Sequence, residues 1–489
     1  MMRRRLAFPA AVLSLVAASA CGPGPAEEAP PLDRSVRPAP GPTPAFDFPT
    51  VERRRLSNGL ELWLVARPGV PMVAVRLLVE AGAAVDPPGQ PGLAALTASM
   101  LVEGTTTRTG LEIADELAYL AADLNASAGQ ESTVVSLTTL TRNLEPALGL
   151  MADVVVNATF PDSEWPRVQD LRLVSLSQAL DQPTTLATRH FNRQVYGFEH
   201  PLGRPVDGTP TSVEAFTPAA LRAFHRARYR PGSAHLVAAG DVDTERLVAA
   251  LERAFAGWTW GEAPRAEPPA APAALPATRV YLIDKPGAAQ SEVRIGHVGV
   301  TRDDPDYIPL LVLNTILGGQ FSSRINLNLR EDKGYTYGAR SAFDAGRLAG
   351  PFVASGGVQT AVTRESIVEF LREIADIRGG RPVTDAETEF AKASIVRREP
   401  LAVETHAQIA GRVLNLILYD LPLDYYDSYT DRIAAITTAD VNRAAREHLD
   451  PGRLVIVVVG DRAQIETAIR ALPYPVALLQ ADAYAERPR

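Results

Sequence analysis

The sequence predicts an α+β protein built from two tandem, duplicated domains, each a mainly antiparallel sheet packed with helices. The first observation behind this is self-similarity. An offset of 220 residues carries Pro231-Gly232 and Leu236–Asp241 onto Pro451-Gly452 and Ile456–Asp461, and Ala215-Phe216-Thr217 onto Ala435-Ile436-Thr437. An offset of 218 carries Pro68-Gly69 and Val75-Arg76 onto Pro286-Gly287 and Val293-Arg294. Scattered matches at a near-constant spacing imply duplication of one unit of about 220 residues. The second observation is that strand and helix patterns mix within each half without strict alternation, which argues against a parallel α/β fold. The third is the Pro- and Ala-rich stretch 261–278, a linker that sets the domains at 46–260 and 279–478.

Composition narrows the function. The chain has 489 residues, 49 Lys+Arg against 57 Asp+Glu, a net charge of −8 and 46% apolar residues. That is enough apolar surface for a large core, and too acidic a balance to bind nucleic acid through bulk charge. Cys21 is the single cysteine, so a disulfide framework and a multi-cysteine zinc site are both excluded.

The elements follow in order. Arg3, Arg4 and Arg5 precede an apolar run, Leu6–Ala20, too short to span a bilayer comfortably. Ala18-Ser19-Ala20 lead into Cys21, which resembles a bacterial lipoprotein signal. The resemblance implies a signal peptide over 1–20, lipid on Cys21 and, because Gly22 is not aspartate, an outer-membrane lipoprotein facing the periplasm. A plain signal peptide cut after Ala20 is the alternative. Residues 22–49 hold nine prolines and read as a tether, placed at 21–45. Strands are expected at Leu60–Val65, Met72–Ala81, Thr133–Leu140 and His235–Gly240, then at Arg279–Ile283, Ser291–Val298 and Leu454–Gly460. Helices are expected at Gly92–Glu103, Thr109–Leu124, Leu144–Asn157, Asp306–Leu317 and Arg364–Ile377.

Short motifs punctuate these elements. Leu56-Ser57-Asn58-Gly59-Leu60 opens the first strand pair. Pro91-Gly92-Leu93-Ala94 and Met100-Leu101-Val102-Glu103-Gly104-Thr105 flank the first helix. His200–Val206 and Gly208-Thr209 follow, then Leu317-Gly318-Gly319, Phe321-Ser322-Ser323-Arg324, Leu329-Arg330-Glu331, Gly334–Tyr337 and Leu421–Tyr426. In this order the set resembles the insulinase/pitrilysin-like metallopeptidases, of the half-length two-domain type, over residues 50–470. The resemblance implies a metallopeptidase half-shell and a zinc helix carrying an inverted His-x-x-Glu-His motif. In that motif two histidines on one helical face bind the metal and the glutamate polarises its water. A glutamate from a later helix is the third ligand.

This chain departs from the pattern at every one of those positions. The motif reads Ala95-Leu96-Thr97-Ala98-Ser99, so both histidine positions, Ala95 and Ser99, and the base position, Ala98, are lost. The third-ligand position falls on Ser175 by distance or on Gln178 by local pattern, and neither is a carboxylate. No metal is expected in this chain, and zinc is expected in a partner. The seven histidines, His190, His200, His225, His235, His297, His406 and His448, are scattered, and each has an ordinary strand, loop or helix setting. Asp303, Asp304 and Asp306 around Pro305 read as a solvated turn. Gly318-Gly319 lacks the Gly-Lys-Ser/Thr ending of a phosphate loop.

The resemblance implies one further role. In two-subunit members the zinc-less partner lends an Arg and a Tyr to the active subunit's cleft. The matching residues are Arg330 and Tyr337, with Tyr335 a rival and helix capping or sheet packing the plainer alternative. The family also adds peptides to an edge strand beside an Asn-Ala pair, which here is Asn125-Ala126. The expected function is a non-catalytic subunit of a heterodimeric zinc metalloendopeptidase, partnered by a zinc-bearing homologous subunit. The alternative is a peptide-binding or scaffold lipoprotein of the envelope without proteolysis.

Overall fold

Among the described residues, twelve strands form two six-stranded sheets. The computed structural model describes residue 41, 46–259, 261–264, 269–270, 272–273 and 275–484; the signal and most of the tether lie outside the described residues. Sheet one contains β1 (Glu52–Arg55), β2 (Glu61–Ala66), β3 (Met72–Val79), β4 (Asp123–Ala128), β5 (Thr133–Leu140) and β6 (Ala234–Gly240), in the order β1-β2-β6-β3-β5-β4. Sheet two contains β7 (Arg279–Asp284), β8 (Gln290–Val298), β9 (Thr336–Phe343), β10 (Pro351–Gln359), β11 (Val455–Gly460) and β12 (Val476–Leu479), in the order β12-β7-β11-β8-β10-β9.

The duplication is visible in the strand register. Val75 faces Ala238 as Val293 faces Val458, and Leu62 pairs with Leu236 as Val280 pairs with Ile456. The pairs β2–β6 and β7–β11 are parallel. The halves differ at one outer edge. There β1 adds antiparallel from the N-terminal side, whereas β12 adds parallel from the C-terminal side.

Five helices of the first half matter for the site: α1 (Leu93–Met100), α2 (Gly110–Tyr119), α3 (Leu144–Val156), α4 (Trp165–Asp181) and α5 (Pro183–Tyr196). The expected helix over Thr109–Leu124 is shorter. Ala121 turns into the left-handed region at φ 46°, the Asn143 side chain takes the Leu120 carbonyl at 2.7 Å, and the chain leaves as β4.

Each sheet covers one face with helices of its own half. Leu62, Leu64, Val73, Val75, Leu77, Leu236 and Ala238 pack under α1 and α3. The other faces are covered by exchange. Helix α5 of the first half lies on β8 and β11 of sheet two, placing Leu186, Phe191 and Val195 on Ile283, Val455 and Val457. Its counterpart in the second half, His406–Leu418, lies on β3 and β6 of sheet one, placing Ile409, Ala410 and Val413 in one core with Trp63, Val65 and Val237. Gly296 of β8 is required by this approach: a Cβ there would stand 1.9 Å from the Phe352 carbonyl and 3.0 Å from the Phe191 ring. Tyr196 Oη donates to the Ala349 carbonyl at 2.9 Å, and Leu348 N donates to Glu131 at 2.9 Å, so the two halves are locked together. They belong to one compact unit, residues 43–489.

Candidate functional site

Helix α1 is positioned by its own flanking motif. The buried Asp86 carboxylate accepts from Gly92 N and Ala94 N, both at 2.8 Å, and so caps the first turn. Burial pushes its pKa up to about 7, against the pull of those amides and of Arg204. Gly92 adopts φ 95°, and a Cβ there would meet Gly208 Cα at 2.7 Å. Ser212 Oγ donates to the Pro91 carbonyl at 2.8 Å. Pro91-Gly92 and Gly208-Thr209, far apart in sequence, thus form one junction that aims α1.

On α1, Ala95 and Ala98 are buried methyl groups. Ser99 Oγ donates to the Ala95 carbonyl at 3.0 Å and accepts from Arg172 Nη2 at 3.2 Å. Arg172 stands on α4, which runs antiparallel to α1. One rung further along, Arg167 of α4 pairs with Glu103. Ser175 and Gln178, the alternative third-ligand positions, lie further along α4. Both side chains are exposed. Two methyls, a hydroxyl already committed to a carbonyl, and a guanidinium do not fit a zinc ion, which takes imidazole, thiolate or carboxylate donors. Sequence reasoning missed Arg172; a lone arginine in a helical run carries no signal of its own.

Five of the described histidines meet partners outside α1. His190 Nε2 meets the Ala481 carbonyl at 3.0 Å, His225 Nε2 the Val155 carbonyl at 2.8 Å, and His297 Nδ1 the Val298 carbonyl at 2.7 Å. His200 Nδ1 accepts from Leu202 N at 3.1 Å, and His235 lies 3.3 Å from Glu61. Burial lowers all five pKa values below the ordinary histidine value. His406 begins its helix. The reading of 303–306 as a solvated turn is corrected at Asp306. This residue is buried, binds Arg443 through both oxygens at 2.6 and 2.8 Å and meets His448 at 2.8 Å. The arginine provides the counter-charge that makes burial affordable.

In the second half, Arg324 is buried and bound by both oxygens of Glu387 at 2.7 and 2.8 Å, which holds the following turn in place. Hydrogen bonds from Arg324 and Thr384 outweigh the effect of burial and draw the Glu387 pKa down to about 2. The segment Leu327–Asp332 then winds as a π-helix, a local widening common at functional positions. Arg330 sits on it, half exposed, with its guanidinium 4.6 Å over the exposed Phe321 ring and its Nε 3.2 Å from Glu331. Tyr337 is on β9 and 87% exposed, so it does not pack on the sheet. The two residues share a cleft of about 290 Å³ with Gln290, Glu331 and Gln359. Arg330 also lines a neighbouring cleft of about 530 Å³, with Gly318, Gly319, Gly338 and Arg340. Tyr335, the rival, is half-buried and tied through its backbone to Leu329 and Gln359.

Asn125 and Ala126 are in β4, the edge of sheet one, paired with β5 on one side only. Asn125 is exposed and Ala126 half-buried. Helix α1 packs beside β4, so the former motif positions and the open edge are adjacent.

Residues 63–209 match the family model for insulinase (peptidase family M16), and residues 215–395 match that of the peptidase M16 inactive domain. An uncharacterized zinc protease of Rickettsia bellii is 31% identical over 297 residues, 60% of this chain and 70% of that protein. An uncharacterized zinc protease of Mycobacterium leprae is 28% identical over 425 residues, covering 86% of this chain and 94% of the relative. A solved peptidase M16 inactive domain from Pseudomonas fluorescens superposes with a TM-score of 0.78 at 30% identity, over 84% of this chain and 97% of that one. Two duplicated six-stranded halves, the ordered motifs and these matches agree: the chain belongs to the insulinase family, peptidase family M16.

Proposed function

We propose that this chain is the non-catalytic subunit of a heterodimeric zinc metalloendopeptidase of the cell envelope, held there by lipid on Cys21. It would work beside a homologous subunit that carries the intact zinc helix. One observation carries the reading: α1 offers methyl and hydroxyl groups, with the Arg172 guanidinium of α4 beside them, in place of metal donors, while Arg330 and Tyr337 stand together, exposed, in one cleft. Neither residue is needed to hold the fold, since Arg330 stacks on an exposed ring and Tyr337 is almost wholly in solvent. Both are free to reach a peptide carbonyl held by another chain, where a guanidinium and a phenol oppose developing negative charge. Proteolysis is then a property of the pair.

The test is co-expression with a homologous chain bearing an intact His-x-x-Glu-His helix, followed by cleavage of quenched fluorogenic peptides. The pair is expected to cleave, with kcat/KM falling about tenfold or more for Arg330→Ala, a loss in the range of one charge-assisted hydrogen bond. Equal cleavage by the zinc-bearing chain alone refutes the proposal. Peptide binding without any cleavage, with or without that partner, would favour the scaffold reading that the open edge of β4 also supports.

A further inference from the structure

Strand register brings two arginines and a serine into one row on sheet two. Ser355 of β10 faces Arg294 of β8 on one side and Arg340 of β9 on the other, so the two arginines stand two strands apart, about 10 Å. The offset that carries Arg76 onto Arg294 makes Arg76–Ser136–Asn125 the corresponding row of sheet one. The amide at the edge of the first half is thus a second cation in the second half. All three residues of the sheet-two row line the cleft of about 530 Å³ that Arg330 also lines.

The row is short of partners. Glu292 neutralises Arg294 at 2.9 Å, and Glu331 lies 3.2 Å from Arg330. Among the described residues Arg340 has no carboxylate within the 4.0 Å of an ion pair, and the Ser355 hydroxyl has no hydrogen-bond partner although the residue is only 6% exposed. A hydroxyl so far withdrawn from water gains by meeting a ligand. The space before the row stays open because Gly338 and Gly357 are its neighbours two residues along β9 and β10, on the same face. A Cβ at Gly357 would stand 2.8 Å from a Glu292 oxygen. Helix α5 starts at this cleft. Thr184 of its first turn lines the wall and Gln182 makes no side-chain cap, so the amide end of the helix adds positive potential.

We propose that Arg340, with the Ser355 hydroxyl and the amide end of α5, binds the carboxylate of an Asp or Glu side chain of the peptide that Arg330 and Tyr337 meet. This names the substrate class, acidic peptides, and rests on the reading of that region as a peptide site. A carboxylate gives Arg340 the counter-charge it lacks and accepts a hydrogen bond from the serine. A lysine or arginine side chain in the same place would face Arg340 and Arg330, so the same charges turn basic peptides away.

The test uses the full chain and fluorescein-labelled peptides of about ten residues, rich in Val, Thr and Ser, in which a single Glu, Gln or Lys occupies each position in turn. Fluorescence anisotropy is expected to show Glu at one position binding about tenfold tighter than Gln there, the range of one charge-assisted hydrogen bond, and Lys binding more weakly than Gln. Arg340→Gln is expected to abolish the preference for Glu, and Ser355→Ala to reduce it severalfold, with melting temperatures confirming that both variants are folded. Equal binding of the Glu and Gln peptides at every position, absence of binding, or a preference unchanged in Arg340→Gln overturns the proposal. Cleavage by the co-expressed pair is scored separately. A preference for Glu without cleavage overturns the subunit reading alone, and cleavage without that preference overturns this proposal alone.

Discussion

Replacing Asp306 with Asn should weaken the protein near neutral pH and lose its effect in acid. Asp306 begins the helix Tyr307–Leu317 and accepts two hydrogen bonds from Arg443 and one from His448, with a side chain 11% exposed. The Arg443 hydrogen bond leads in drawing its pKa from 3.8 down to about 2. A folded value below the unfolded one means the contribution is present above about pH 4 and is lost as pH falls toward 2. The difference sets a ceiling of about 2.5 kcal/mol. Arg443 stands on the solvent side, where water and salt screen its charge, so about 1 to 1.5 kcal/mol is expected. Urea unfolding of wild type and Asp306→Asn should differ by that amount at pH 6.5 and by less than about 0.5 kcal/mol at pH 2.5. An equal difference at both pH values would refute the reasoning, because the loss would then come from shape and not from charge.

Asp86 has the opposite sign. Its folded pKa, raised to about 7 chiefly by burial, contributes stability below about pH 4 that is lost as pH rises through 7, so the cost of Asp86→Asn should shrink between pH 4 and pH 8 in the same unfolding assay. Phe191→Ala removes a fully buried ring from the exchanged helix α5. It should cost about 3 to 5 kcal/mol, and urea titration should show it loosening sheet two even though the mutation lies in the first half.

Much of the fold was legible because periodicity is local. The alternation of Thr133–Leu140 and the apolar run before Gly460 identify strands without any knowledge of partners. The helix over 109–124 was overextended because nothing in the composition of Ala121-Ala122 announces a left-handed turn; the stop depends on Asn143 reaching back to Leu120. Asp306 was misread for the same reason: the acids before it, Asp303 and Asp304, suggest a solvated turn, and its real partner is Arg443. Strands β9 and β10 were not anticipated, since their glycines and polar residues dilute the alternation.

By itself the sequence determined the duplication, the α+β class, the ordered motifs of the family and the absence of metal-binding side chains at Ala95, Ala98, Ser99, Ser175 and Gln178, all properties of residue identity at a position. Only the tertiary structure decided that α5 and His406–Leu418 change places between the halves, that Arg330 and Tyr337 share a cleft, and that Arg172 comes to Ser99. These are meetings of side chains distant in sequence, made by packing and not by local pattern.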